Sequence, residues 1–82
     1  MGNITSLDRL RIGQKGKIIR LDGGRGFLER AYSLGIRVGK RVTVLSTLPF
    51  RGPIAFKIDN IEIAIGRGMA SRIIVRILWI WK

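Results

Sequence analysis

Two apolar-alternating runs of five residues, separated by only two polar residues, constrain the fold of this chain more than any other feature. The runs are Ile54–Ile58 and Ile61–Ile65, and Asp59-Asn60 joins them. A two-residue connection is the length of a tight β-hairpin loop. The predicted register has one apolar face and one mixed face, with these pairs: Ile58 with Ile61, Phe56 with Ile63, Ile54 with Ile65, Lys57 with Glu62 and Ala55 with Ala64.

A short helix that ends at a glycine is predicted before this hairpin. Its apolar residues recur at helical spacing and share one face: Phe27, Leu28, Ala31 and Leu34. Gly35 suits the left-handed position just past a helix end, where Ile36 would fold back on Ala31. Residues 37–40 then fit a tight turn with a positive φ at Gly39. This order of signals predicts a helix, a glycine cap and a turn.

Three further strands are predicted from alternation of apolar and polar residues. They cover residues 15–21, residues 41–46 with Val42 and Val44 inward, and a last strand with Ile73, Val75 and Ile77 inward. In the first of them the core residues Ile18 and Leu21 are three apart, which predicts a bulge or strong twist. Thr5 or Ser6 is expected to cap a one-turn helix that Gly13 ends.

A mainly β fold follows, because four or five short strands and one helix cannot cover both faces of an open sheet. Closure into a small barrel of about five strands buries one face of each strand. Eighty-two residues are expected to form a single domain, residues 1–82. The longest apolar stretch, residues 73–81, is much shorter than the about 20 residues of a membrane span. We therefore expect a cytoplasmic protein without a transmembrane segment.

The chain has no cysteine and no histidine, which removes most site chemistry. No disulfide, thiol chemistry or zinc knuckle is available, and both the commonest general base and the commonest metal ligand are missing. Asp59 and Glu62 fall at one hairpin, but Glu62 is expected to face Lys57 and form a cross-strand ion pair. The sequence therefore predicts a protein that is not an enzyme and has no catalytic residue, metal site or cofactor.

The formal charge of +11 comes from 16 Lys or Arg against 5 Asp or Glu. Such an excess favours an acidic partner: nucleic acid, an anionic membrane surface or an acidic protein face. The basic residues are spread along the chain, so a solubilising basic surface explains them as well. No exposed strand combines basic and aromatic residues, as the stacking platforms of single-strand binding barrels do.

Several short apolar and glycine or proline motifs follow one another along the chain: Leu34-Gly35-Ile36, Gly39, Pro49, Gly52-Pro53, Ile63-Ala64-Ile65, Ala70, Ile73 and Val75. In the order and spacing of these motifs, the chain resembles the FeoA proteins of bacterial and archaeal ferrous-iron transport. The likeness runs from about residue 7 to residue 78 and excludes the aromatic tail, residues 79–82. Val38 stands where the family usually has proline. The resemblance implies an SH3-like barrel with a helix inserted after its first strand.

The resemblance also implies a function in iron homeostasis without bound iron. FeoA proteins act in the cytosol beside FeoB, a ferrous-iron permease with a GTPase domain. A non-enzymatic adaptor that regulates a FeoB-type permease by protein–protein contact, at the inner face of the membrane, is therefore expected. The candidate contact residues are Leu34, Gly35, Ile36, Gly39, Pro49, Phe50, Arg51, Gly52, Pro53, Trp79 and Trp81.

Two alternatives stay open at the level of sequence. The first is a small basic barrel that binds nucleic acid, and the second is a detached copy of the SH3-like domain found in metal-dependent repressors. Trp79 and Trp81 either continue the inward set of the last strand or form an exposed anchor for a partner, a membrane interface or a second copy in a homo-oligomer.

Overall fold

The computed structural model of the chain describes residues 3–47 and 52–78. Six strands, one helix of nine residues and two helical turns make up this part. In chain order they are β1 (Ile4–Ser6), a 3-10 turn (Leu7–Arg9), β2 (Lys15–Leu21), α1 (Arg25–Ser33), β3 (Arg41–Thr47), β4 (Ile54–Ile58), β5 (Ile61–Ile65), α2 (Arg67–Ala70) and β6 (Ile73–Leu78).

All six strands belong to one antiparallel sheet in the order β1-β6-β2-β3-β4-β5. The predicted hairpin is confirmed pair for pair, from Ile54 opposite Ile65 to Ile58 opposite Ile61. Its two loop residues, Asp59 and Asn60, have φ angles of 50° and 64°. Two positive φ angles define the hairpin turn whose twist matches that of the strands, and Asp and Asn tolerate them well.

Two irregularities in pairing let the sheet curl around a single core. One lies between Ile18 and Arg20 in β2, and the other between Val44 and Ser46 in β3. The first confirms the bulge predicted from the spacing of Ile18 and Leu21. The buried core takes side chains from β2, β3, β4, β5 and β6, with Phe56 the largest. Since residues of so many strands meet in one cluster, the outer face of the sheet is convex.

Closure of the sheet into a sealed cylinder is not seen in the part of the chain that the structure describes. β1 and β5 stand at the two ends of the strand order, and neither pairs with the other. β1 itself was not predicted, because three residues are too few to show an alternation. The helix α1 follows Lys15–Leu21, as predicted. Because β1 precedes that strand, Lys15–Leu21 is the second strand along the chain and not the first.

Two local predictions near strand ends need correction. The Ser6 side chain does not accept a capping hydrogen bond from a backbone N–H of the following turn; its Oγ donates to Asp8 Oδ1. The turn itself is a 3-10 turn that ends at Arg9. Lys57 lies opposite Glu62 as predicted. However, the described residues show no ion pair between them. Both side chains are exposed, so water competes effectively for the two charges.

Candidate functional site

The chain reverses direction directly after α1, and this reversal builds the first candidate surface. Gly35 takes a φ of +85°, Ile36 N donates to Ala31 O at 2.9 Å, and Gly35 N donates to Tyr32 O at 3.0 Å. These two bonds form the glycine cap predicted from sequence. Ile36 is fully buried by this fold-back, whereas Leu34 and Gly35 are half-buried. Ile36 therefore anchors the reversal from within the core.

A tight turn over residues 37–40 follows and is fixed to the sheet on one side. Gly39 has a φ of +98°, as predicted, and its N–H donates to Ile18 O at 2.8 Å. Ile18 N donates in return to Lys40 O at 2.8 Å. The turn is thus hydrogen-bonded to β2 at the level of the core. Its exposed groups sit on a rigid base.

Three side chains are exposed around the end of α1 and the turn that follows it: Tyr32, Arg37 and Val38. Tyr32 is 45% exposed and Val38 is 60% exposed. The guanidinium carbon of Arg37 lies 5.2 Å from the centroid of the Tyr32 ring, within the range of a cation–π contact. We call residues 32–39 the corner. Tyrosine and arginine on a rigid base are the residue types that dominate protein–protein contacts.

A shallow depression of about 470 Å³ adjoins the corner. It is lined by residues of the turn, of β3 and of the β4–β5 hairpin: Gly39, Lys40, Arg41, Thr43, Lys57, Asp59 and Asn60. Lys40 Nζ donates to Asp59 Oδ2 at 2.5 Å across it. Arg41 and Lys57 have no such partner among the described residues. The depression therefore has an excess of positive charge.

The structure separates the two loops that were candidates for partner contact. The corner leads into Arg41 at the start of β3, whereas Gly52 and Pro53 lie beyond its other end, where Thr47 pairs with Ile54. A seven-residue strand is about 20 Å long, so these loops form two surfaces. Gly52 is half-buried and Pro53 is exposed. Five other candidates lie outside the described residues: Pro49, Phe50, Arg51, Trp79 and Trp81.

The contact residues predicted from sequence do not include Tyr32, Arg37 and Val38. Tyr32 and Arg37 are five residues apart, which is no helical neighbour spacing. They meet because the cap at Gly35 turns the chain back over the last turn of α1. The signal was present in the glycine itself, since a predicted reversal brings residues on its two sides together.

A bidentate ion pair lies outside the corner, at the end of β2. Arg20 Nε donates to Asp22 Oδ1 at 2.7 Å, and Nη2 donates to Oδ2 at 3.0 Å. These hydrogen bonds from the guanidinium lower the pKa of Asp22, and the contact raises the pKa of Arg20. Within residues 3–47 and 52–78, no group of three or more His, Cys, Asp or Glu could hold a metal. None of the helices described is long and apolar enough to span a bilayer.

Known proteins share both the sequence pattern and this architecture. The family model named FeoA domain matches residues 5–77. The chain is 29% identical over 72 residues to the Fe(2+) transport protein A/Fe(2+) transporter FeoB fusion protein of Porphyromonas gingivalis, covering 88% of this chain and 8% of that relative's length.

Two solved structures have the same fold. One is the crystal structure of the iron uptake regulatory protein FeoA, which is 32% identical with a TM-score of 0.86 over 92% of this chain and 99% of that one. The other is a manganese-dependent transcriptional repressor, 29% identical with a TM-score of 0.85, of which the match covers 42%. The family match extends over nearly the whole chain, and both solved structures share its fold. The chain therefore belongs to the FeoA domain family.

Proposed function

We propose that this protein is a non-enzymatic accessory protein of ferrous-iron transport that acts by contact with a FeoB-type permease on the cytosolic side of the membrane. The observation that carries the proposal is the relative in which a homologous segment and the transporter FeoB form one polypeptide. In the fusion protein the covalent link keeps the two modules at a high effective concentration. Where the same modules are separate chains, they need a contact surface to stay together.

The corner is the surface that we assign to this contact. Its Tyr32–Arg37 pair and the exposed Val38 stand on a turn that is hydrogen-bonded to β2. Such a surface loses little conformational freedom when a partner binds, which favours affinity. The glycines Gly35 and Gly39 shape it, and Ile36 anchors it from the core. The Gly52-Pro53 loop lies about 20 Å away along β3 and would belong to a separate contact.

The chain has no groups that suggest chemistry of its own. It contains no histidine or cysteine to serve as a base or nucleophile. Three of its five carboxylates already accept hydrogen bonds or ion pairs: Asp8 from Ser6, Asp22 from Arg20 and Asp59 from Lys40. In the proposed function the permease moves the iron, and this protein presents a fixed surface to it.

The decisive experiment is a pull-down of the purified cytosolic part of a FeoB-type permease with the full chain as bait. Val38→Glu places a charge on the corner, and Ile12→Glu is the matched control. Both residues are aliphatic and similarly exposed, at 60% and 62%. We expect the wild type and Ile12→Glu to retain the permease part and Val38→Glu to lose it. If the wild type retains none, the proposal is wrong; if both variants lose it equally, the corner is not the contact.

A second candidate function follows from the likeness to the manganese-dependent transcriptional repressor, of which this chain matches less than half. In that case the chain would be a detached copy of a repressor domain that docks on the remainder of such a protein. The same pull-down with a purified repressor of this type as prey distinguishes the two. Retention of the repressor with no retention of the permease part would favour the second candidate.

A further inference from the structure

The sheet gathers basic side chains that are far apart in sequence onto its outer face. Arg76 of β6 lies directly opposite Lys17 of β2, and Lys17 lies directly opposite Arg41 of β3. In the neighbouring row, Lys15 lies opposite Thr43, which in turn lies opposite Lys57. All five cations are exposed, whereas Val42, Phe56 and Val75, which stand next to Arg41, Lys57 and Arg76 in their strands, are buried in the core. We call these five residues the basic face: Lys15, Lys17, Arg41, Lys57 and Arg76.

The basic face is not neutralised by carboxylates of the protein itself. The chain has five Asp or Glu, all within the described residues. Two of them pair with Arg20 and Lys40, which are not part of the basic face. Only Glu62 lies directly opposite one of its members, Lys57. Like charges directly opposite in a sheet destabilise it, so a row of three cations indicates an external anionic partner.

We propose that the basic face binds the anionic phospholipid surface of a membrane directly. The inference goes beyond the proposed function, because it requires lipid and not the permease. The face spans four adjacent strands, β6-β2-β3-β4, and is therefore about 15 Å wide. Lipid headgroups diffuse in the plane of the membrane, so they can move to positions opposite cations that are spread over such an area. Each Lys or Arg near an anionic membrane contributes about 1 kcal/mol.

Two features of the described residues favour lipid over nucleic acid. First, none of the aromatic residues within 3–47 and 52–78 lies on the outer face for bases to stack on, since Phe56 points into the core and Phe27 and Tyr32 belong to α1. Second, the row of cations ends in an apolar side chain. Ile4 of β1 lies directly opposite Arg76 and is 56% exposed. An exposed aliphatic group beside cations fits the boundary between headgroups and acyl chains.

The shape of the surface agrees with this choice. The sheet curls around its core, so its outer face is convex apart from the local depression beside Lys40. A convex basic face still contacts a planar array of headgroups. The depression beside Lys40, Arg41 and Lys57 could take a single headgroup phosphate.

The test is co-sedimentation of the full chain with vesicles made of phosphatidylglycerol and phosphatidylcholine in equal parts, or of phosphatidylcholine alone. The variant is Lys17→Gln combined with Arg41→Gln. The control is Arg25→Gln combined with Arg30→Gln, which removes the same charge from α1. We expect binding only to the mixed vesicles and weakening by about 20- to 30-fold in the first variant. The control should weaken binding by less than threefold.

A second variant separates lipid from nucleic acid. Ile4→Ser should weaken binding to mixed vesicles and leave any binding to a DNA oligonucleotide unchanged. Equal binding to both kinds of vesicle would overturn the proposal. So would equal loss in the Lys17/Arg41 variant and its control. Tighter binding to the oligonucleotide than to mixed vesicles, at the same salt and phosphate concentration, would assign the face to nucleic acid instead.

Discussion

Lys40 Nζ lies 2.5 Å from Asp59 Oδ2, and this contact joins two tight turns that are 19 residues apart in the chain. Lys40 closes the turn of residues 37–40 at the end of the corner, and Asp59 opens the β4–β5 hairpin loop. Both turns depend on positive φ angles, at Gly39 and at Asp59 with its neighbour Asn60. The contact therefore connects two rigid local structures across the depression and fixes the position of the corner relative to the hairpin.

A double-mutant cycle on Lys40→Gln and Asp59→Asn measures this connection. Asparagine tolerates the positive φ of residue 59, so the turn is kept while the charge is lost. The two side chains are 39% and 55% exposed. We therefore expect a coupling energy of about 0.2–1 kcal/mol in the free energy of unfolding, decreasing with salt. Urea unfolding at low and high salt is the measurement. A coupling energy that is the same at low and high salt would contradict an electrostatic contact between the two side chains.

Gly35→Ala should destabilise the protein through the backbone alone. Residue 35 has a φ of +85°, and no atom lies within 4 Å of the position of an added Cβ. The loss in the free energy of unfolding then comes only from holding alanine in the left-handed conformation, and is about 1–2 kcal/mol. Gly35→Asn should recover part of the loss. Thermal or urea unfolding of the variants gives the values.

Gly26→Ala is the matched control for that experiment. Gly26 lies in α1, also without an atom near its added Cβ, but its φ is not positive. The same substitution should therefore stabilise the protein, by about 0.4–1 kcal/mol, because it restricts the unfolded chain. Equal effects at the two positions would show that the cap does not depend on the conformation of residue 35.

Local features of this fold were predictable because their causes lie within a few residues. The hairpin register follows from a two-residue loop between alternating runs, and it is correct at every pair. The glycine cap and the turn at Gly39 follow from the need for positive φ. The bulge in β2 follows from the spacing of Ile18 and Leu21.

The features that were not predictable depend on which strands become neighbours. Lys17 meets both Arg41 and Arg76 only because β2 lies between β3 and β6, an order that no local pattern encodes. For that reason, charges that are spread along the sequence form a cluster on the surface. The separation of the corner from the Gly52-Pro53 loop likewise depends on the path of β3. The short β1 carries no alternation long enough to recognise.

The Arg20–Asp22 pair should make stability depend on pH in the acid range. Hydrogen bonds from the Arg20 guanidinium lower the pKa of Asp22 in the folded protein. The folded state then binds a proton less readily than the unfolded state. The contribution of the pair to the free energy of unfolding is fully present above the ordinary pKa of aspartate, about 4, and is lost as the pH falls through the lower pKa of Asp22 in the folded protein.

Asp22→Asn tests that dependence. The variant should be slightly less stable than the wild type at neutral pH, and the difference should vanish in acid. Arg20→Gln should give the same pattern, because either substitution removes the pair. Urea unfolding of the three proteins between neutral pH and about pH 3 is the measurement. A difference that stays constant over this range would show that Asp22 acts through something other than its charge.

Lys17→Glu should raise stability and abolish vesicle binding at the same time. The new carboxylate would lie directly opposite both Arg41 and Arg76. Replacing two like-charge pairs by two opposite-charge pairs is expected to stabilise the sheet by about 0.2–1 kcal/mol per pair at low salt. High salt should remove most of this gain, since the side chains are exposed.

Lys15→Glu is the control, with the same change of charge on the same strand. Residue 15 lies opposite Thr43 and Leu78, so no cation faces the new carboxylate directly. Its gain in the free energy of unfolding should be clearly smaller. Equal gains in the two variants would mean that net charge, and not the row through Lys17, sets the effect. A larger gain for Lys17→Glu, together with loss of binding to anionic vesicles, would mean that the chain keeps three adjacent cations at a cost in stability because they serve binding.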